Sequence, residues 1–180
     1  MEFSRPMLIV VLIVILYCNY QALGIKLTFD SFEQTLGEEI VWLNLRVRKY
    51  NRTSSVINGT IHMRTYATND YQFHLDVFYS RLGNQQFNHL PMKLPSAGIC
   101  DFLDNLYINY GEYVHIFVNV PEKGECPMPQ RDMHIFDAEF PTEVIPQIVL
   151  RTGLWKALMR GYINGKEIVS CTLVLKATDN

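Results

Sequence analysis

Apolar and polar residues alternate along three segments in the first half of the chain. The clearest segment is 39–49, in which four alternate residues are apolar: Val41, Leu43, Leu45 and Val47. The same period of two recurs at 56–66 and 71–79. Because successive side chains of a strand point to opposite faces, this period predicts strands with one buried face. Short polar turns join the three segments, so we predict an antiparallel meander, followed by a poorer strand at 87–94.

A helical period replaces this alternation after residue 97. Apolar and aromatic residues recur there at intervals of three and four: Ile99, Phe102, Leu103, Leu106, Tyr107 and Tyr110. Ser96 is available to cap the helix, and Asp101 and Asp104 lie early in it, where the helix dipole favours acidic residues. The spacing predicts one short helical segment around 97–110. Residues 113–120 fit both a strand and a continued helical stripe, and their periodicity does not choose between the two.

The C-terminal part of the chain returns to strand patterns. Residues 133–140 predict one strand, and 154–162 and 168–176 predict a hairpin around Asn164-Gly165, a dipeptide that favours tight hairpin turns. Both faces of 154–162 carry apolar side chains: Trp155, Ala157 and Met159 on one, and Leu154, Leu158 and Tyr162 on the other. A strand that is apolar on both faces lies in the middle of a structure or lines a hollow.

The N-terminal segment indicates the compartment. Arg5 precedes twelve consecutive apolar residues, 7–18, and Ala22-Leu23-Gly24 is a small-x-small cleavage pattern. We therefore predict a signal peptide at 1–24, an extracellular mature protein and a single domain at 25–180. The alternative is an uncleaved signal anchor, although twelve apolar residues are short of the about 20 that a membrane span needs. No later segment of the sequence is apolar and long enough to span a membrane.

Charge and glycosylation sequons narrow the classes of partner. The net charge is −2, and loss of Glu2 and Arg5 with the signal peptide leaves it unchanged. This balance does not indicate a nucleic acid as a partner. Two sequons, at Asn51 and Asn58, predict N-glycosylation and an exposed surface around 51–60.

The cysteine count predicts one disulfide. Removal of Cys18 with the signal peptide leaves Cys100, Cys126 and Cys171 in the mature chain. In an oxidising compartment an odd number of cysteines predicts one bonded pair and one remaining thiol. The count does not show which two are paired.

No pattern of catalytic residues accompanies these features. The chain lacks a Gly-x-Ser-x-Gly elbow, a His-Glu-x-x-His pair and a phosphate-binding glycine loop. Its histidines are scattered, and solvent-facing strand positions explain His62 and His74 more simply than a metal site does. Asp101 and Asp104 have the spacing of an acid–base pair, but acids in the first turn of a solvated helix are the simpler explanation. We therefore expect no enzymatic activity, no metal and no cofactor.

The second half of the chain contains a specific set of motifs. Lys93-Leu94-Pro95 is followed by Cys100-Asp101-Phe102-Leu103, Cys126-Pro127, Pro146, Gly153 and Trp155. This set resembles a large family of small secreted insect proteins that carry a domain of unknown function. It is similar in outline to the chemosensory B proteins of fly taste hairs and, more remotely, to the ganglioside activator protein and other ML lipid-recognition domains. The resemblance covers about residues 85–176, whereas 25–84 matches only in its strand pattern.

The resemblance implies a mainly β fold, an antiparallel β-cup or sandwich with a short helical segment near its mouth. It favours helix at 113–120. It also implies a disulfide between Cys100 and Cys126, which would close a loop of about 26 residues and contribute on the order of 3 kcal/mol. Residues 128–131 depart from the family, which has a glycine after Cys-Pro. Cys171 is then left over, as a buried free thiol or, alternatively, as a dimer bridge.

A cup of this kind binds an apolar ligand between its sheets. We expect six apolar side chains to line the interior: Trp42, Phe73, Phe102, Leu106, Phe117 and Trp155. The implied function is secreted, non-enzymatic binding and presentation of a lipid or other apolar small molecule, in chemosensory perception, with a membrane chemoreceptor or ion channel as a further partner. The alternative is a secreted protein–protein interaction module with a filled core and no ligand.

Overall fold

The computed structural model describes residues 24–93 and 96–179. The predicted signal peptide at 1–24 lies outside these residues, apart from Gly24. Within the described ranges, no helix combines the length and the apolar character that crossing a membrane requires. The described chain is mainly antiparallel β with one helix, as the sequence patterns predicted, and its two sheets agree with the sandwich that the resemblance implied.

The larger sheet, sheet A, contains the first and last strands of the fold. Its strands are β1 (Ile25–Leu36), β4 (Gln72–Ser80), β5 (Asn88–Lys93), β6 (Ala97–Gly98), β9 (Gly153–Ile163) and β10 (Lys166–Asp179). They run in the order β1-β10-β9-β4-β5, and the short β6 also pairs with β4. Asn164 and Gly165 have φ of 50° and 75° and form the turn between β9 and β10. The predicted C-terminal hairpin is therefore confirmed.

The smaller sheet, sheet B, faces sheet A and contains four strands. They are β2 (Val41–Lys49), β3 (Ser55–Met63), β7 (Phe117–Val118) and β8 (Arg131–Ala138), in the order β2-β3-β8-β7. The predicted meander is wrong in its third strand, because β3 pairs with β8 and β4 belongs to sheet A. Alternation identifies the buried face of a strand but not the sheet that the strand joins. Here the segment 64–71 connects β3 in sheet B to β4 in sheet A.

Strand β1 lies outside the predicted strands. Ile25, Leu27 and Phe29 keep a period of two, but the register shifts between Phe29 and Ser31. A bulge of this kind moves later side chains to the opposite face and interrupts the alternation. The signal was therefore present only in the first few residues of a strand that spans twelve.

The helix α1 (Ile99–Val114) joins β6 of sheet A to β7 of sheet B. It thus crosses between the sheets along one side of the sandwich. Tyr110 has non-helical φ and ψ of −139° and 27° and marks a kink. Segment 113–120 is divided, since α1 ends at Val114 and β7 follows at Phe117–Val118. Neither the strand nor the helix prediction holds for the whole of that segment.

The packed core lies at one end of the sandwich. It consists of buried side chains from both sheets and the loop before β9: Leu27, Phe29, Ile57, Ile135, Leu150, Trp155, Leu175 and Ala177. The 3-10 turns Thr142–Val144 and Gln147–Val149 cover this end, where the Leu27 amide donates a hydrogen bond of 3.0 Å to the Thr142 hydroxyl. This core holds the two sheets together at that end, and the site described next lies beyond it.

Candidate functional site

A cavity of about 360 Å³ lies between the sheets, beyond the packed core and beneath α1. Its sheet B wall consists of inward-facing side chains of β2, β3 and β8: Val41, Leu43, Ile61, Met63 and Met133. Its sheet A wall consists of residues from β4, β9 and β10: Phe73, Met159, Gly161, Val169 and Cys171. Register explains this grouping, because Phe73 pairs with Gly161 and Cys171 pairs with Met159, so that these residues share one face. A volume of this size falls within the range of small-molecule sites.

The helix α1 closes the cavity from the side. Ile99, Phe102, Leu103 and Leu106 are spaced three and four residues apart, and all four line the cavity. The ring of Phe102 packs on that of Phe73, with centroids 4.2 Å apart. The apolar stripe that predicted the helix is therefore the surface that faces the cavity.

Side chains outside α1 fix its N-terminal half. The Asn69 side-chain oxygen accepts hydrogen bonds from the backbone N–H groups of Cys100 and Asp101, at 3.0 and 3.2 Å. Asn69 thus replaces the capping side chain expected from Ser96, since the helix begins after Gly98, which has none. A Cβ at Gly98 would lie 2.3 Å from the same Asn69 oxygen, so a larger residue there would displace this cap.

The disulfide joins the same end of α1 to the loop that precedes β8. Cys100 and Cys126 are bonded, with their Cα atoms 5.9 Å apart, as the family resemblance implied. Two further contacts tie α1 to this loop. The Gly124 amide donates to the Asp104 carboxylate at 2.7 Å, and the Tyr107 hydroxyl donates to the Pro121 carbonyl at 2.6 Å. The first two turns of α1 are consequently fixed at several points.

Sulfur-containing side chains form an unusual share of the lining. Four are methionines and one is the free cysteine: Met63, Met128, Met133, Met159 and Cys171. Methionine has a flexible, polarizable side chain that adapts to irregular shapes and packs well on aromatic rings. Cys171 is buried and unbonded, as predicted, and desolvation raises the pKa of its thiol to about 11. The environment around Cys171 therefore strongly favours the uncharged form of the thiol.

The lining is almost free of charge. Among the described lining residues, Arg160 is the single basic side chain, and none is acidic. Arg160 lies between the inward-facing Met159 and Gly161, so its side chain projects to the outer face of sheet A. There its guanidinium binds the Asp76 carboxylate and lies 5.8 Å from the Tyr162 ring centroid. The charge of Arg160 is thus neutralised outside the cavity.

The structure places four of the six expected lining residues at the cavity and two elsewhere. Phe73, Phe102, Leu106 and Phe117 line it. Trp42 does not, because its neighbours Val41 and Leu43 face inward, and its ring instead stacks on His62 on the outer face of sheet B. Trp155 faces inward but belongs to the packed core, where its indole N–H donates to the Arg151 carbonyl at 2.9 Å.

Sequence reasoning missed most of the lining, including the methionines. The signal was the strand alternation itself. In 39–49 the inward face is the regular series beginning at Val41, and the aromatic Trp42 belongs to the opposite series. The expected lining residues were chosen for their aromatic character and not for the face of the strand on which they lie. Trp42 was therefore included, and Leu43 and Ile61 were left out. The positions supplied by loops, such as Met128, carried no periodic signal.

The two sequons lie in different surroundings. Asn51 is exposed in the β2–β3 turn, and its side-chain oxygen accepts hydrogen bonds from the amides of Thr53 and Ser54. Asn58 is half-buried on β3, and its side-chain amide donates to the Asp137 carboxylate at 2.8 Å. Glycosylation at both positions stays a prediction.

The histidines and acids considered as chemical groups do not converge on the cavity. His62 binds Asp132 at 2.7 Å on the outer face of sheet B, and the His74 ring packs on that of Tyr162. Asp101 and Asp104 bind Asn69 and the Gly124 amide. In the part of the chain that the structure describes, no three His, Cys, Asp or Glu side chains group as metal ligands.

Comparison with known proteins does not identify the family. A scan against protein-family models finds no match to this chain, and a search of curated proteins also finds none. The resemblance to secreted insect proteins therefore stays a prediction.

Proposed function

We propose that this protein is a secreted, non-enzymatic binder of a lipid or other apolar small molecule, which it holds between its two sheets beneath α1. The observation that carries the proposal is the cavity of about 360 Å³, whose walls are apolar on every side. Pockets of this kind, concave and lined mainly by apolar and aromatic side chains, are the usual sites for small apolar ligands.

The energy of maintaining such a cavity supports a ligand. The unfilled apolar walls forgo packing contacts that larger side chains at the lining positions would supply. A ligand whose atoms fill the space recovers the same packing energy as affinity, at about 0.8 kcal/mol for each buried methylene.

The alternative, an interaction module with a filled core, fits these dimensions less well. A filled core would be packed to the density of an organic crystal along the whole sandwich. The main cluster of buried apolar side chains lies around Trp155 and Leu175 and leaves the space beneath α1 unfilled. Side chains such as Leu43 and Met133 remain half-buried although they lie between the sheets.

The disulfide supports secretion, because disulfides persist in oxidising compartments. An extracellular protein that carries an apolar molecule can solubilise it in water or transfer it to a membrane protein. We therefore retain a membrane chemoreceptor or ion channel as the proposed acceptor, and chemosensory perception as the proposed setting.

Binding of a neutral fluorescent probe tests the proposal. N-phenyl-1-naphthylamine should bind the purified protein with enhanced fluorescence. Leu106→Trp places a larger ring in the cavity and should weaken this binding by at least about tenfold, since overpacked groups cannot share the space. The matched control is Ile108→Trp, two residues along α1, where the side chain is 63% exposed and the probe should bind as in the wild type.

Native mass spectrometry of protein purified from insect cells supplies an independent readout. A co-purified apolar molecule should accompany the wild type and Ile108→Trp, but not Leu106→Trp. Failure of the wild type to bind the probe, together with the absence of any co-purified apolar molecule, would exclude the carrier and favour the interaction module.

A further inference from the structure

The charges at the edge of the cavity indicate which apolar molecules it accepts. Sheet B continues past the cavity to Arg131, the first residue of β8. Arg131 shares the inward face with Met133, two residues later, and pairs across the sheet with Met63. Both methionines line the cavity. Arg131 is therefore an inward-facing base beside the cavity, with only 14% of its side chain exposed.

This base is already neutralised within the protein. The Arg131 guanidinium forms an ion pair with the Glu125 carboxylate, which also accepts a hydrogen bond from the Glu122 amide at 2.8 Å. The pair has no net charge, and breaking it would leave a largely buried charge without a partner. The buried Arg131 Nε has no hydrogen-bond partner among the described residues, but the positive charge is already paired, so a ligand carboxylate would have to share the guanidinium with Glu125.

In the described chain, the charged groups near the lining offer an anion no unpaired partner. Arg160 binds Asp76 on the outer face of sheet A, and Arg64 lies over the Trp42 ring at 5.4 Å, on the outer face of sheet B. Inside the apolar cavity an anion would therefore lose its hydration without gaining an unpaired positive charge.

We propose that the cavity selects uncharged apolar molecules and rejects those with a carboxylate, because Glu125 already neutralises the base beside it. The raised pKa of the Cys171 thiol agrees with this selection, since the same desolvation disfavours any anion in that wall. The inference rests on the proposed function, and it names the ligand class.

Competition against bound N-phenyl-1-naphthylamine tests the selection. Dodecanol and dodecanoate have the same chain length and differ in the charge of the head group. Dodecanol should displace the probe at a concentration at least about tenfold lower than dodecanoate at pH 8, because burying an unpaired carboxylate is strongly unfavourable.

A charge-changing variant tests the reason for the selection. Glu125→Gln leaves the Arg131 charge without its partner, so dodecanoate should gain about tenfold in affinity while dodecanol is unchanged. Glu122→Gln is the matched control: it removes an exposed carboxylate from the same loop without touching the Arg131 ion pair, and should leave the preference for dodecanol in place.

The outcomes separate this inference from the proposed function. Equal displacement by dodecanol and dodecanoate in the wild type would overturn the selection while leaving a lipid binder. An unchanged dodecanoate affinity in Glu125→Gln would overturn the role of the ion pair. Absence of probe binding in the wild type would instead remove the proposed function itself.

Discussion

Cys171 reports the environment of the cavity at the scale of one residue. It lies on β10 opposite Met159, and both side chains line the cavity. Desolvation raises the pKa of its thiol from 9.0 to about 11. The position of Cys171 in a strand was readable from the sequence, and so was its place as the odd cysteine. The sequence did not show that Cys171 lines a cavity, because a buried cysteine in a packed core would occupy the same kind of strand position.

This shift predicts how stability depends on pH. The folded state holds the thiol proton more tightly than the unfolded state, so the contribution of Cys171 is complete below pH 9 and is lost as the pH rises through 11. Between pH 8 and 10.5 the wild type should lose on the order of 2 kcal/mol of unfolding free energy relative to Cys171→Ala. Denaturant unfolding of both proteins at the two pH values measures this difference. The variant controls for tyrosine and lysine titration, and parallel curves would contradict the prediction.

The helix α1 illustrates, at the scale of an element, what the sequence could and could not predict. The apolar spacing from Ile99 to Leu106 predicted both the helix and its inward face. The cap was wrong, since Asn69 from the β3–β4 connection provides it instead of Ser96. A cap supplied by a residue about thirty positions away depends on tertiary structure. Local sequence preferences therefore cannot locate it.

Removal of that cap should loosen the end of α1 that the disulfide also holds. Asn69→Ala removes the acceptor for the Cys100 and Asp101 amides and should lower the free energy of unfolding by about 1–2 kcal/mol. Asn109→Ala is the control, because Asn109 is exposed and its side chain donates only to the carbonyl one turn earlier, at Asn105. Chemical denaturation of both variants provides the measurement. Equal effects of the two substitutions would show that Asn69 does not act as a cap.

At the scale of the molecule, strand patterns determined the class of fold but not its topology. The alternation correctly indicated most strands, including both partners of the β9–β10 hairpin. The position of β4 in sheet A depends on its pairing with β9, about eighty residues later. No local sequence pattern encodes such a pairing. The cavity is less predictable still. It is the space that remains between two sheets held together by a core at one end and bridged by α1 at the side.

Because the cavity lies between sheets that unfold together, its ligand should stabilise the whole fold. A ligand that binds only the folded state adds about 2.7 kcal/mol at a concentration 100 times its dissociation constant. For a domain of this size that corresponds to a rise in Tm of about 5–10 °C. Dodecanol should therefore raise the Tm of the wild type and of Ile108→Trp in proportion to the logarithm of its concentration. In Leu106→Trp the larger ring occupies part of the cavity and weakens binding, so the same dodecanol should raise the Tm by less, whereas an equal rise would place the ligand outside the cavity.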